Sequence, residues 1–268
     1  MSSSPPPTTP LPARLRRERV LAYVDQREFA RVTEMAEQFE VSTVTLRTDL
    51  EHLSRRGLLR RVRGGAVSRS AGRPEPAFEE AQTANVAQKK AIGRHTAGMI
   101  GSGETVILDV GTTTTAVAHA MADRDDLRDV MVFTNSLTIA MALESSAPRI
   151  TVVVTGGTLR PRQHSLVDPL AALVLDQITA KWAIIGCNGI DIDGGVTNAN
   201  LPETDVKRRM IGAATRRVVC ADSSKLGGVA LARICGVGDI DVLVTDGRAD
   251  QAVVTELEGS GVDVHVAN

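Results

Sequence analysis

The sequence predicts an α/β protein in two parts, a small helical headpiece closed by a hairpin and a larger domain built on a mainly parallel sheet. Three observations predict it. Leu46, Leu50 and Leu53 recur at i, i+4 and i+7, the stripe of a helix with one buried face. Immediately after that helix, Leu58–Arg63 alternates loosely toward Gly64-Gly65, a pair that permits the positive φ of a tight turn. Beyond residue 105, short β-branched runs ending in Gly, Asn or Asp alternate with helical stretches, the pattern of parallel strands joined by crossovers. A headpiece of about 60 residues leaves most of a 268-residue chain for the second domain.

Taken in order, MSSSPPPTTP cannot bury a core and has neither a basic nor an apolar leader segment, so residues 1–12 read as a disordered tail without a targeting signal. Residues 13–67 form the headpiece. Arg14–Gln26 carries Leu15, Val20, Leu21 and Val24 as one helix, and Thr33–Phe39 carries Met35, Ala36 and Phe39 as a second. Val41-Ser42 is the turn. Ser42 suits an N-cap for the third helix, which Gly57 stops. With the leucine stripe inward, Val44, Thr45, Thr48 and Arg55 point outward and Arg47 lies on the flank. Three short helices and a hairpin make a winged helix-turn-helix, in which the second helix of the pair enters the major groove of DNA. Ser42, Thr43, Thr45, Arg47 and Thr48 are then the residues at or beside base edges, and Arg60, Arg61 and Arg63 of the wing hold phosphates.

Charge supports this reading. Seven arginines and no acid lie between Ser54 and Pro74, a run that elsewhere would be a solvated face but here adjoins the recognition helix. Residues 1–73 hold 14 Arg against 8 acids, whereas the remainder carries 17 basic and 24 acidic residues. The net charge of −1 therefore conceals a basic module on an acidic one, and only the former suits double-stranded DNA. Ser68–Pro76, rich in Ser, Gly, Arg and Pro, is the linker, and residues 77–268 the second domain.

In that domain the predicted strands are 106–111, 130–135, 150–157, 182–187, 217–222 and 241–246, and the predicted helices Glu79–Ile100, Thr115–Ala122, Leu137–Glu144, Pro169–Ile178 and Thr204–Thr215. Ligands of such sheets sit beyond the carboxyl ends of the strands. Four of those ends suit a small anion and its hydroxyls: Asp109 to Thr115, Thr134 to Ser136, Gly156-Gly157, and Asp222 to Lys225. Each is also compatible with an ordinary capped turn, a helix cap, a flexible turn or a salt-bridged surface. Their convergence on one edge favours a phosphorylated ligand. Cys187, Cys220 and Cys235 are too few and too far apart for a disulfide framework or a zinc module, and the five histidines form no metal-spacing pair. The expectation is no metal and no cofactor, free buried thiols, no membrane span and a cytoplasmic protein.

VSTVTLRTDL…GLLRRVRGGA in the headpiece, followed by LDVGTTT, FTNS, TGGTLR, NGID…GG, VKRRMI and ADSSK, resembles the DeoR-type bacterial transcriptional regulators from about Arg14 to the C-terminus. The resemblance implies a second domain with the fold of ribose-5-phosphate isomerase and CoA transferases, which binds a phosphorylated sugar or related metabolite and forms a dimer or tetramer. It implies a phosphate at Gly111, Thr112, Thr113 and Thr114, with Asp109, Asn135, Gly157, Lys207, Asp222 and Lys225 near the sugar. It also implies repression of a carbohydrate operon, relieved by the metabolite. Two residues depart from the family pattern: Thr48 stands where a second arginine is usual, and Asp168 where glycine is usual, adding a carboxylate if that loop lines the pocket. The rival reading is a sugar-phosphate isomerase with a DNA-binding appendage. Counting back from Asp222–Lys225, which resembles the isomerase's own Asp-x-Ser-Lys, puts Lys207 where that enzyme has its catalytic Glu, and Cys187-Asn188-Gly189 replaces its acidic cluster. No catalytic residue is expected. A third reading is an oligomeric DNA-binding protein without a ligand.

Overall fold

The computed structural model describes residues 12–27, 29–55, 58–62, 64–68 and 76–268 and divides into two compact units, Met1–Pro74 and Glu75–Asn268. Gly57, Arg63, the tail 1–11 and residues 69–75 of the expected linker lie outside the described residues.

The first unit runs α1 (Ala13–Arg27), β1 (Phe29–Arg31), α2 (Val32–Gln38), α3 (Thr43–Arg55), β2 (Leu59–Val62) and β3 (Gly65–Ser68). Val20 and Val24 of α1, Met35 of α2 and Leu46, Leu50 and Leu53 of α3 close one small core, capped by Leu59 and Ala66 of the wing. Leu15, placed in the α1 stripe by its apolarity, is exposed instead. The hairpin turn also differs from expectation. Val62 pairs with Gly65, so Gly65 belongs to the strand, and of the two glycines it is Gly64 that takes the positive φ, +86°. The three-residue β1, too short to leave a periodic signal, pairs antiparallel with β3 and makes the wing three-stranded.

The second unit continues with α4 (Phe78–Thr83), α5 (Val86–Gly98), β4 (Thr105–Leu108), α6 (Thr112–Ala122), β5 (Val130–Thr134), α7 (Leu137–Leu143), β6 (Ile150–Val154), β7 (Thr158–Arg160), β8 (Ser165–Val167) and α8 (Leu170–Leu175). It ends with β9 (Ala180–Gly186), β10 (Gly189–Asp191), β11 (Gly195–Asn198), α9 (Leu201–Gly212), β12 (Ala214–Cys220), β13 (Ala232–Cys235), β14 (Val242–Asp246), α10 (Gln251–Gly259) and β15 (Asp263–Ala267).

All six expected strands enter one sheet of order β15-β14-β12-β9-β4-β5-β6, in which every pairing is parallel. Alternate residues serve opposite faces. Val106, Leu108, Trp182, Ile184, Val218 and Val242 pack with α5, α6 and α7, while Ile107, Ala183, Ile185, Val219 and Leu243 pack with α8, α9 and α10. Burial on both faces is why these strands read as continuous apolar runs. The chain steps from β4 outward to β6, then returns to the other side of β4 with β9, so strand order reverses between β4 and β9. A crevice opens at such a reversal.

Two expectations change. The long helix Glu79–Ile100 is two helices, because Asn85 adopts the left-handed conformation at φ 53°, a geometry asparagine tolerates. The β7–β8 hairpin, the antiparallel sheet β10-β11-β13, α10 and β15 were not anticipated. Among the described residues, no helix is long and apolar enough to cross a membrane. Cys187, Cys220 and Cys235 are free thiols.

Candidate functional site

The headpiece presents α3 as its polar face. Ser42 Oγ accepts from Thr45 N at 3.0 Å and shares a hydrogen bond of 2.9 Å with Thr45 Oγ1, so both hydroxyls are engaged at the helix start. Thr43 is half-buried, Val44 is 69% exposed, and Arg47 and Thr48 are exposed, with Thr48 Oγ1 donating back to Val44 O. Arg60 lies in β2. Two acids within α3 organise the surrounding arginines, which a scan of the basic run alone overlooks. Asp49, 1% exposed, accepts from Arg16 Nε at 2.6 Å and Arg17 Nε at 2.7 Å, locking α1 across the back of α3. Glu51 pairs with Arg61 of the wing and, at 3.2 Å, with Arg55; the Arg61 hydrogen bond and then Arg55 hold its carboxyl below the usual carboxylate range. Arg61 is therefore not a bare cation. In open solvent such a pair is weak enough for a phosphate to displace it.

In the second unit a cavity of about 330 Å³ lies in the β4–β9 crevice. Gly111, Thr112 and Thr113 line it where α6 begins, and the first-turn N–H groups there have no partner inside the helix. Lys207, Asp222 and Lys225 also line it. Lys225 is half-buried and makes no ion pair among the described residues, whereas Asp222 Oδ1 accepts from Asn85 Nδ2 at 3.0 Å and Ser224 N at 3.1 Å.

Lys207 differs from a lysine at a pocket edge. It is 3% exposed, ion-paired to Asp109 Oδ2, and donates to Gly186 O at 3.2 Å. Asp109 is fully buried behind it and takes a second hydrogen bond from Gly186 N at 3.1 Å. Burial pushes the Asp109 carboxyl up to about 6, with the Lys207 charge opposing. Burial presses the other way on Lys207, but Asp109 and Glu203 together hold its ammonium above the ordinary lysine value. At neutral pH the pair is ionised.

Four expected residues do not line the cavity. Thr114 is buried, and its Oγ1 donates to Gly111 O at 3.0 Å. Asp109 acts only through Lys207 and Gly186. Asn135 is buried beneath the floor, accepting from Val110 N at 3.0 Å and donating to Leu166 O at 3.1 Å, so it braces the Asp109–Gly111 loop. Gly157 packs elsewhere: at φ +129° a Cβ there would stand 2.1 Å from Val167 O, so only glycine lets β7 approach β8. The reason is sheet order, which sets β5 and β6 on the outer side of β4. Asp168 is half-buried and not among the lining residues, so its carboxylate does not face this cavity.

Two buried charged residues of the lining escaped sequence reasoning. Lys89, 7% exposed on α5, donates to Ala81 O at 2.6 Å; burial, aided by Lys225, lowers its affinity for a proton while Asp222 raises it. Its signal was a lysine on the same helical face as Ile92 and Thr96, both fully buried. Glu203, 3% exposed on α9, pairs with Arg160 and accepts from Ser165 Oγ at 2.7 Å; its signal was the i, i+4 spacing to Lys207. Cys187, half-buried, contributes a thiol that desolvation pushes up to about 12. The cavity thus offers two ammonium groups without carboxylate partners and a helix start to an anion, beside carboxylates and amides that accept from hydroxyls. Glu203 and Asp222 are each committed to several partners, and neither is poised to remove a carbon-bound proton.

Comparisons with known proteins bear on both units. Residues 16–71 match the DeoR-like helix-turn-helix domain and residues 84–247 the DeoR C-terminal sensor domain. The chain is 34% identical to the HTH-type transcriptional regulator YulB of Bacillus subtilis over 93% of its length and 95% of that protein's. It is 31% identical to the HTH-type transcriptional repressor CsqR of Escherichia coli, covering 96% of each, and 29% identical to the E. coli glycerol-3-phosphate regulon repressor, covering 89% and 92%. Among solved structures, ribose-5-phosphate isomerase A of Methanocaldococcus jannaschii aligns over 53% of this chain and 55% of that one, at 16% identity and a TM-score of 0.40. With a matching headpiece, a matching sensor domain and full-length relatives above 30% identity, the chain belongs to the DeoR family of helix-turn-helix transcriptional regulators.

Proposed function

We propose that this regulator represses a carbohydrate catabolic operon by binding operator DNA through α3 and the wing, and that a phosphorylated sugar bound in the β4–β9 crevice relieves the repression. The observation that carries the reading is the cavity itself: Lys89, Lys225 and the start of α6 suit a phosphate, and Asp222, Glu203 and Asn85 suit hydroxyls. That one E. coli relative is a glycerol-3-phosphate regulon repressor is in keeping with a phosphorylated ligand. The pocket is a sensor and not a catalyst; isomerisation of ribose 5-phosphate by the unmodified protein would overturn that. Each chain carries one recognition helix, so a homo-oligomer, dimer or tetramer, supplies the paired half-sites of an operator. A thermal-shift screen with phosphorylated sugars tests the reading, since a ligand bound only by the folded state raises Tm in a concentration-dependent way. The hit should change operator affinity, and operator should change hit affinity by the same factor, typically worth about 1–3 kcal/mol.

On the DNA side, Ser42, Thr43, Thr45, Arg47 and Thr48 read or flank base edges, and Arg60, Arg61 and Arg63 bind phosphates. Arg61→Ala is expected to weaken binding to all sequences and lower the magnitude of the salt slope by about 1. Thr45→Ala is expected to lower the specific-to-nonspecific ratio instead. Electrophoretic mobility shifts across a salt series check both, and a slope indifferent to Arg61 would count against the wing assignment.

A further inference from the structure

The outer wall of the cavity is the first segment of the sensor unit. Pro76, Phe78, Ala81, Ala84 and Asn85 line it, and chain order puts this segment directly after the DNA-binding unit. α4 has six residues, too few to hold a helix by its own hydrogen bonds. It is held from outside. Phe78, its one buried residue, packs edge-on to His164 with ring centroids 5.6 Å apart, and Phe78 N donates to Arg162 O at 2.8 Å. Gln163 Nε2 donates to Pro76 O at 2.7 Å, and His164 Nε2 meets Glu79 Oε1 at 2.7 Å. On the cavity side two clips reach it: Lys89 Nζ to Ala81 O at 2.6 Å, and Asn85 Nδ2 to Asp222 Oδ1 at 3.0 Å.

Lys89 is the unusual member. The residue is 7% exposed, lines the cavity, and has one hydrogen bond to a carbonyl and no ion pair among the described residues. An ammonium has three donors, so an anion in the cavity can be met without giving up Ala81 O. A buried cation gains most from a counter-ion because its surroundings screen so little.

We propose that residues 76–85 form a strap which the ligand orders, with Lys89 as the clip joining the ligand's anionic group to α4, so that occupancy is read out where the chain leaves for the DNA-binding unit. This rests on the crevice being the ligand site, as proposed above. Filling the cavity ties sheet, Lys89 and α4 into one hydrogen-bonded body, and the segment entering the linker loses its freedom to open.

Hydrogen exchange on the full chain, with inorganic phosphate as the probe, tests it. Phosphate should slow exchange at Thr112 and Thr113, and should slow the amides of 78–85 by roughly tenfold or more, with β15 as an unaffected reference. In Lys89→Met, at phosphate concentrations high enough to protect Thr112 and Thr113, the amides of 78–85 should stay unprotected. Protection of Thr112 and Thr113 without any at 78–85 in the unmodified chain would overturn the strap and leave the ligand site standing. Protection at 78–85 that survives Lys89→Met would overturn the role of Lys89. No protection at either segment would overturn the strap and the ligand site together.

Discussion

Lys207→Met is expected to destabilise the sensor unit by about 3–5 kcal/mol, the usual consequence of removing one partner from a buried ion pair. The variant leaves Asp109, fully buried, with one hydrogen bond from Gly186 N and no counter-charge. Urea unfolding followed through Trp182, the single tryptophan, which lies in β9 beside the pair's strand, would read the loss directly. Two companion results distinguish an orphaned charge from a general packing defect. Adding Asp109→Asn should recover much of the stability, because the amide needs no cation. Lowering the pH should also shrink the deficit. Asp109 already titrates near 6 in the folded protein, above the value of an unfolded aspartate, so folding takes up a proton between about pH 4 and 6 and this group's contribution to stability falls as pH rises through that window. Without Lys207 the carboxyl protonates still more readily, and the neutral acid is tolerated. A midpoint unmoved by Lys207→Met would show that the pair is not structural. A loss of effector response in this variant is accordingly evidence about folding before it is evidence about ligand contact.

The second large effect is in the headpiece. Asp49→Ala is expected to cost about 2–3 kcal/mol, since it removes two charge-assisted hydrogen bonds that tie Arg16 and Arg17 of α1 to α3. A unit of about 60 residues has a small core and little stability to lose, so the variant should fail on operator and nonspecific DNA alike. Substitutions on the outer face, at Arg47 or Thr48, should leave the headpiece folded. Circular dichroism of the isolated variants is not required: thermal unfolding of the full chain should show a separate early transition in Asp49→Ala, and fluorescence anisotropy should show the loss of DNA binding. Wild-type affinity in Asp49→Ala would refute the clamp.

Much of this was legible because it is local. The leucine stripe and the Ser42 cap identify α3, and the six β-branched runs identify six of the seven parallel strands, since burial on both faces leaves an unbroken apolar signal. Pairings distant in sequence leave no such trace. Asp109 and Lys207 are 98 residues apart, and only the return of the chain to the far side of β4 brings them together. The same return separates Asn135 and Gly157 from the cavity. Both do structural work that a turn motif cannot reveal: one braces a loop, the other admits a backbone at a distance no side chain would allow. Asp49 and Glu51 were masked by a different habit of reading, in which a basic run is judged by its own residues and not by the acids a helix brings alongside it.

Cys187 carries a consequence of its own. A thiol pushed up to about 12 stays protonated at pH 7, and the thiolate is the species that alkylating agents and peroxides attack. Desolvation therefore holds this sulfur at the cavity wall in its less reactive thiol form. Maleimide or iodoacetamide should label Cys187 slowly in the folded chain and readily after denaturation, which makes its modification rate a gauge of pocket opening.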